Sequence, residues 1–167
     1  TIHPFLDGNG RIGRLMIPLY LISHGVLNKP SLYLSDFFER NRASYYDALM
    51  RVRVSHDLSH WLRFFLSGVA QTATKGCDVF QQILALRTRA EQAILGLGKR
   101  VPLARQALDH LYRVPIIDVH DLKAVLGVSR PTANTIIKLL IEKDILSEVT
   151  GQERYRAYAF EHYLKVF

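Results

Sequence analysis

Apolar side chains recur at steps of three and four across residues 10–24, at Ile12, Leu15, Met16, Leu19 and Ile22. That rhythm predicts a helix, ended by Gly25 and kinked by Pro18, whose ring deletes one backbone hydrogen bond. The segment before it, with Pro4, Gly8 and Gly10, reads as a loop. Beyond the connector "NKPSLYLS", Phe37, Tyr45, Leu49 and Val52 share one face of a second helix expected over 36–51, with Ser35 as its N-cap. A third helix is expected over 58–73, centred on "WLRFFLSGVA". A fourth is expected over 78–97, with Val79, Ile83, Leu86, Ala90 and Ile94 in register.

The stretch "LGLGKRVP" breaks this pattern with two glycines and a proline, so a boundary is expected there. Three shorter helices follow, over 103–112, 118–126 and 130–143. "ILSEVT" and "RYRAYAF" alternate apolar and polar positions on either side of "GQE" and predict a β-hairpin. Within this part, "DLKAVLGVSRPTANTIIKLL" has the rhythm of a helix-turn-helix. Leu122, Val125 and Leu126 pack the first helix, Gly127 makes the turn, and Ser129 caps the second. Ala133, Ile136, Ile137 and Leu140 then face inward. Arg130, Thr132, Asn134, Thr135 and Lys138 are left outside, at the edge that would enter a major groove. The hairpin over 145–160 would be the wing, with Arg154 and Arg156 placed to meet phosphate.

A chain of 167 residues holds one domain or two small ones, and its 49% apolar content supports a core. No apolar run reaches the roughly 18 residues of a membrane span, and the start lacks the order of a signal peptide. Cys77 is the single cysteine, which excludes an internal disulfide and a thiolate zinc cluster and fits a reducing cytoplasm. The net charge of +7 favours anionic partners such as nucleotides or nucleic acid, although the excess is spread over both halves. His56 and His60 stand four apart with no acid to complete a metal site, so they read as structural or solvated.

The chemistry concentrates in "TIHPFLDGNGRIGR". A helix start offers free N–H groups and partial positive charge, and glycines let the backbone approach an anion closely. Arg11 and Arg14 are three apart and share a face of the first turns, from which both can reach phosphate oxygens. Asp7 is a hard oxygen ligand suited to magnesium, and His3 can take a proton near neutral pH. Base, metal ligand, anion cradle and cationic clamp are the parts of a phosphoryl or nucleotidyl transfer site. The Walker spacing is absent.

The whole stretch resembles the signature of the Fic family, H-P-F-x-[D/N]-G-N-G-R-x-x-R. Every specified position is met, by His3, Pro4, Phe5, Asp7, Gly8, Asn9, Gly10, Arg11 and Arg14. "YLSDFFERNRASYYDAL" also looks like the family's downstream helix. The resemblance implies a mainly α fold: part of a Fic-type helical core over 1–72, a connecting helix over 73–99, and a winged helix-turn-helix with a small β-hairpin over 100–167. The last resembles the winged-helix modules appended to some Fic proteins. The implied activity is protein adenylylation, the transfer of AMP from ATP to a Ser, Thr or Tyr hydroxyl of a target protein.

Carried over residue by residue, His3 is the base that deprotonates that hydroxyl, and Asp7 holds Mg2+. Gly8, Asn9 and Gly10 form the anion hole, Arg11 and Arg14 clamp the β- and γ-phosphates, and Phe5 packs to anchor the loop. Family members have helices and a substrate-docking flap upstream of the motif, so the chain is expected to be a fragment and a poor catalyst alone. Many also carry an inhibitory helix, [S/T]-x-x-x-E-[G/N], whose glutamate pairs with the arginine that Arg14 matches. Glu39, Glu91, Glu142, Glu148, Glu153 and Glu161 are followed by Arg, Gln, Lys, Val, Arg and His, and none fits.

Two alternatives stay open: a nucleotide-sensing, DNA-binding transcriptional regulator, and a Fic enzyme of variant chemistry that removes AMP or moves UMP or phosphate. An intact His3 favours transfer, because a sensor needs no base. The expected partners are ATP, a target protein and, through residues 118–160, either DNA (contacted by Arg130, Thr132, Asn134, Lys138 and Arg154) or a docked protein. A homodimer with two half-sites accompanies the DNA reading. The expected location is the cytoplasm, away from membrane.

Overall fold

The computed structural model describes residues 4–152 and 155–167. The fold is mainly helical with one small antiparallel sheet, and it divides into two compact units, residues 1–78 and 79–167. No helix among the described residues is long and apolar enough to cross a membrane.

The first unit holds α1 (Asn9–Ser23), α2 (Leu34–Arg40), α3 (Arg42–Ser55) and the first half of α4 (Leu58–Leu95). Its core is aromatic. Leu32, Leu34, Phe37 and Phe38 are buried, with Tyr45, Phe64, Phe65 and Val69 packed around them. The Phe37 and Phe64 ring centroids are 5.3 Å apart and those of Phe38 and Tyr45 4.9 Å, within the range where aromatic pairs add about 0.5–1.5 kcal/mol beyond area burial. At Gly68 the backbone of α4 passes so close to Phe37 that a Cβ would lie 2.5 Å from two ring carbons. Only a residue without a side chain permits that approach.

Three helical boundaries differ from the sequence expectation. The helix expected over 36–51 is two helices that meet at Asn41, whose backbone N–H and side-chain amide both donate to the Phe37 carbonyl, at 3.0 and 2.9 Å. An asparagine competes with the helix for its own backbone, and here it ends one helix and starts another. Ser35 lies inside α2, and Tyr33 occupies the N-cap without a side-chain bond. The helices expected over 58–73 and 78–97 are one, because the intervening residues hold a single glycine, Gly76, and no proline. A glycine costs about 1 kcal/mol in a helix interior, too little to stop one flanked by helical turns.

α1 keeps Pro18 inside and ends at Ser23, with Gly25 at φ +68° beyond it. Its inward residues are Ile17 and Leu21, which pack on the aromatic core. Leu15, Met16 and Leu19, which set the helical rhythm, are exposed. Apolar residues lie all round this helix, so periodicity alone could not select the side that packs.

The second unit continues α4 into a 3-10 turn (Gly98–Arg100), α5 (Val101–Leu111), β1 (Ile116–Asp118), α6 (Val119–Leu126), α7 (Arg130–Glu142), β2 (Ser147–Glu148), β3 (Ala157–Ala159) and α8 (Glu161–Leu164). Ile94, Leu108, Leu111, Ile117, Leu122, Ile136, Ile137, Leu140 and Phe160 are its largest fully buried side chains. The expected hairpin is present, with Ser147 opposite Ala159 and Glu148 opposite Tyr158. A third strand, β1, was not expected and pairs with β3 through Ile117 and Tyr158, giving the order β1-β3-β2. Asp118 and Asp121 cap α6 reciprocally, at 2.7 and 3.0 Å. Gly127 makes the turn in the left-handed region, and Ser129 caps α7.

Substituting Gly68→Ala tests the contact that closes the first core. Alanine gains about 1 kcal/mol of helix propensity but forces the Phe37 ring out of an aromatic cluster, so a net loss of about 1–2 kcal/mol is expected from overpacking. Denaturant unfolding measures it, and an unchanged midpoint would contradict the contact.

Candidate functional site

The signature segment forms a loop that enters α1 through Gly8, which sits at φ +78°. A Cβ is disfavoured there, so glycine is the residue that lets the chain turn into the helix. The first bond of the helix runs from the Ile12 N–H to the Gly8 carbonyl at 3.0 Å. The N–H groups of Asn9, Gly10 and Arg11 therefore have no partner within the helix. No side chain caps this end, and no acid lies in its first turn.

Asn9 shapes the loop. Its Oδ1 accepts from the Phe5 N–H at 3.1 Å, and its Nδ2 donates to the Phe5 carbonyl at 2.7 Å. This two-way clamp on Phe5 was not anticipated, and it works through the backbone: Phe5 itself is 54% exposed. The signal available in sequence was an asparagine at a helix start, where its amide readily bonds nearby backbone.

The cations lie back over the glycines. The Arg11 guanidinium is 3.9 Å from where a Gly8 Cβ would sit, and that of Arg14 is 3.6 Å from the equivalent point at Gly10. Arg11 also approaches Asp7 at 3.8 Å, with both side chains almost fully in water. Asp7 accepts from the Gly8 N–H through Oδ1 at 2.6 Å. Its exposed carboxylate fits a magnesium site of the kind completed by substrate phosphates, which takes only one or two protein carboxylates. The structure thus brings Asp7, Gly8, Asn9, Gly10, Arg11 and Arg14 together at one helix start. His3 lies outside the described residues.

The second set of expected contacts lies on α7. Arg130 and Lys138 are exposed and make no ion pair among the described residues. Thr132 and Asn134 are half-buried, and the Thr132 hydroxyl bonds to the capping Ser129 at 2.9 Å. Thr135 donates to the Pro131 carbonyl. Arg156, expected to face phosphate, is held by Glu148 at 3.5 Å and by the Gln152 carbonyl at 2.8 Å. Arg154 lies outside the described residues. A cation that sequence reasoning missed, Arg100, lines a small cavity with Pro131, Thr132 and Thr135.

A loop that turns on glycine into an uncapped helix, with two guanidinium groups over it, has the charge and the free donors that suit an anion. Residues 1–21 match the Fic/DOC family. The chain is 44% identical over 91 residues to a protein of Aquifex aeolicus (strain VF5) named "Probable protein adenylyltransferase", a match covering 50% of this chain and 26% of that protein. It is 37% identical over 70 residues to a Fido domain-containing protein of Dictyostelium discoideum, covering 35% of this chain and 49% of the relative. The matches thus span about half the length of one relative and a quarter of the other. Motif, family match and relatives agree in making this segment similar to Fic family proteins.

The Asn9 clamp makes a prediction independent of any ligand. In Asn9→Ala the Phe5 amide loses its acceptor, so its hydrogen exchange should speed up while amides within α1 beyond its first turn keep their rates. Unchanged protection at Phe5 would show that the clamp does not hold the loop.

Proposed function

We propose that this chain carries the phosphate-binding and catalytic loop of a protein adenylyltransferase. The observation that carries the reading is the placement of Arg11 and Arg14 over Gly8 and Gly10 beside free helix N–H groups. ATP is the substrate. Its phosphates lie against the N–H groups of the helix start, with the two guanidinium groups offsetting their charge. His3 accepts the proton of a target Ser, Thr or Tyr hydroxyl as that oxygen bonds to the α-phosphorus. The bond to the β-phosphate oxygen breaks, and pyrophosphate leaves. Asp7 would hold Mg2+, which when bound offsets charge on the phosphates. Asn9 fixes the loop in place, so the donors need little reorganisation during the reaction.

His3→Ala tests this in the full-length polypeptide. Transfer of label from ATP to a protein acceptor should fall about 10²–10⁴-fold, the usual contribution of a general base, with nucleotide binding nearly unchanged. A variant that keeps more than about a tenth of the rate would overturn the assignment.

A second reading, for residues 100–167, rests on the order of α5, β1, α6, α7, β2 and β3 and on Arg130 and Lys138, which have no ion pair among the described residues. We read this segment as a winged helix-turn-helix that binds DNA through α7. Binding to random duplexes in a gel shift should fall steeply with salt as phosphate contacts release counterions. Arg130→Ala should cost about 1–3 kcal/mol if that side chain makes a bidentate base contact. No shift at low salt would leave this face to protein docking.

A further inference from the structure

Within the second unit, the starts of α5 and α7 enclose a cavity of about 170 Å³. Its walls are Arg100, Leu103, Pro131, Thr132, Thr135 and Ile136. No acid lines it, and neither helix has an acid in its first turn. The Arg100 side chain has no ion pair and no hydrogen bond among the described residues. Leu103, Pro131 and Ile136 bring apolar surface and no competing side-chain acceptor. Thr135 commits its proton to the Pro131 carbonyl at 3.0 Å. Thr132 pairs with the Ser129 hydroxyl at 2.9 Å, and when Ser129 donates in that pair the Thr132 proton is free for a ligand. A planar guanidinium with nothing to give up, beside a free hydroxyl donor, is suited to an oxyanion.

We propose that this cavity takes a phosphate of a nucleic-acid backbone, held by Arg100 beside the Thr132 hydroxyl. The proposal rests on the reading of residues 100–167 as a duplex-binding unit, and it adds to that reading a fixed position for one strand. A helix with its side chains is about 10–12 Å across, and the major groove is about 12 Å wide. A helix lying in that groove therefore has a phosphate strand along each flank. Arg130, Asn134 and Lys138 follow one another at steps of four along the outer side of α7. Pro131 and Thr135 form the neighbouring line, with Thr135 three residues from Lys138. That line is a wall of the cavity, so the cavity lies on the flank of α7 where a strand would pass.

Charge favours the same strand position. Arg156 in the hairpin is already held by Glu148 and by the Gln152 carbonyl. Arg100 has no such partner among the described residues, so a phosphate meets it without displacing an acid. Contact with backbone phosphate carries no base information, and its loss weakens every sequence alike.

Salt titration of duplex binding by the whole chain tests the site, with helicity by circular dichroism as the control for folding. Affinity for a pool of random duplexes is followed by fluorescence anisotropy for the wild type, Arg100→Gln, Arg100→Lys and Arg113→Gln. Arg113 is exposed just beyond the far end of α5 and does not line the cavity. Arg100→Gln should weaken binding about tenfold at low salt, as loss of one charge-assisted bond does. It should also lower the slope of log affinity against log salt by about 1, the signature of one phosphate contact. Arg100→Lys should keep the slope and lose part of the affinity, because it keeps the charge without the planar fork. Arg113→Gln should change neither. Duplex binding whose slope is the same in Arg100→Gln would overturn the phosphate site and leave the duplex-binding reading standing. Equal losses in Arg100→Gln and Arg113→Gln would also overturn it, by assigning the effect to diffuse charge. A wild-type chain that binds no duplex at low salt would overturn the reading itself, and the site with it.

Discussion

The first unit depends on the approach of Phe37 to Gly68. Among the described residues four apolar side chains are buried in its aromatic core, and the Phe37 ring stands among them against bare backbone. α1 reaches this core through Ile17 and Leu21. The loop that carries the signature is the lead-in to α1, and Asn9 holds Phe5 to its first turn. The position of Asp7, Arg11 and Arg14 therefore follows from a packing contact made by residues outside the signature. A glycine far along the chain thus supports the core on which α1, and with it the signature loop, rests.

The electrostatics of the loop suit a site that takes its ligand from water. Asp7 and Arg11 are paired at 3.8 Å, but both are solvated, and such a pair gives little net stability. A polyanion that offers several oxygens to Arg11 displaces it readily. Arg14 has no acid to give up among the described residues. The helix start adds partial positive charge with no acid in its first turn to neutralise it. The rigid element is the backbone, fixed by Gly8 and Asn9, while the two long cations remain free to settle on the ligand.

The chain discloses its elements unevenly, and the reason is local. Where a cap or a turn residue is decisive, as at Gly25, Asp118, Gly127 and Ser129, the expected and observed boundaries agree to within a residue or two. Where two effects compete, they part. Asn41 broke a helix that periodicity would have continued, and the single Gly76 failed to break one that periodicity suggested dividing. β1 is three residues long and exists because β3 offers it an edge, a pairing distant in sequence that no local pattern encodes. In the site, residue types and spacing were legible because glycine, aspartate and arginine each have a local reason to be there. The clamp on Phe5 and the half-burial of Thr132 and Asn134 were not, since both arise from which atoms the folded backbone brings within reach.

In the second unit the outer side of α7 shows how folding divides polar side chains between structure and surface. Thr132 completes the cap with Ser129, and Thr135 returns its hydroxyl to the Pro131 carbonyl. Arg156 is held within the hairpin by Glu148 and Gln152. Hydroxyls that could read hydrogen-bond patterns on a partner are thus largely committed to the fold. What remains uncommitted among the described residues is charge: Arg130 and Lys138 on the helix, and Arg100 beside its start. On the proposed reading, recognition by this face is led by long, flexible cations. Such contacts favour phosphate or carboxylate over base edges, position a partner more than they select its sequence, and weaken together as salt rises.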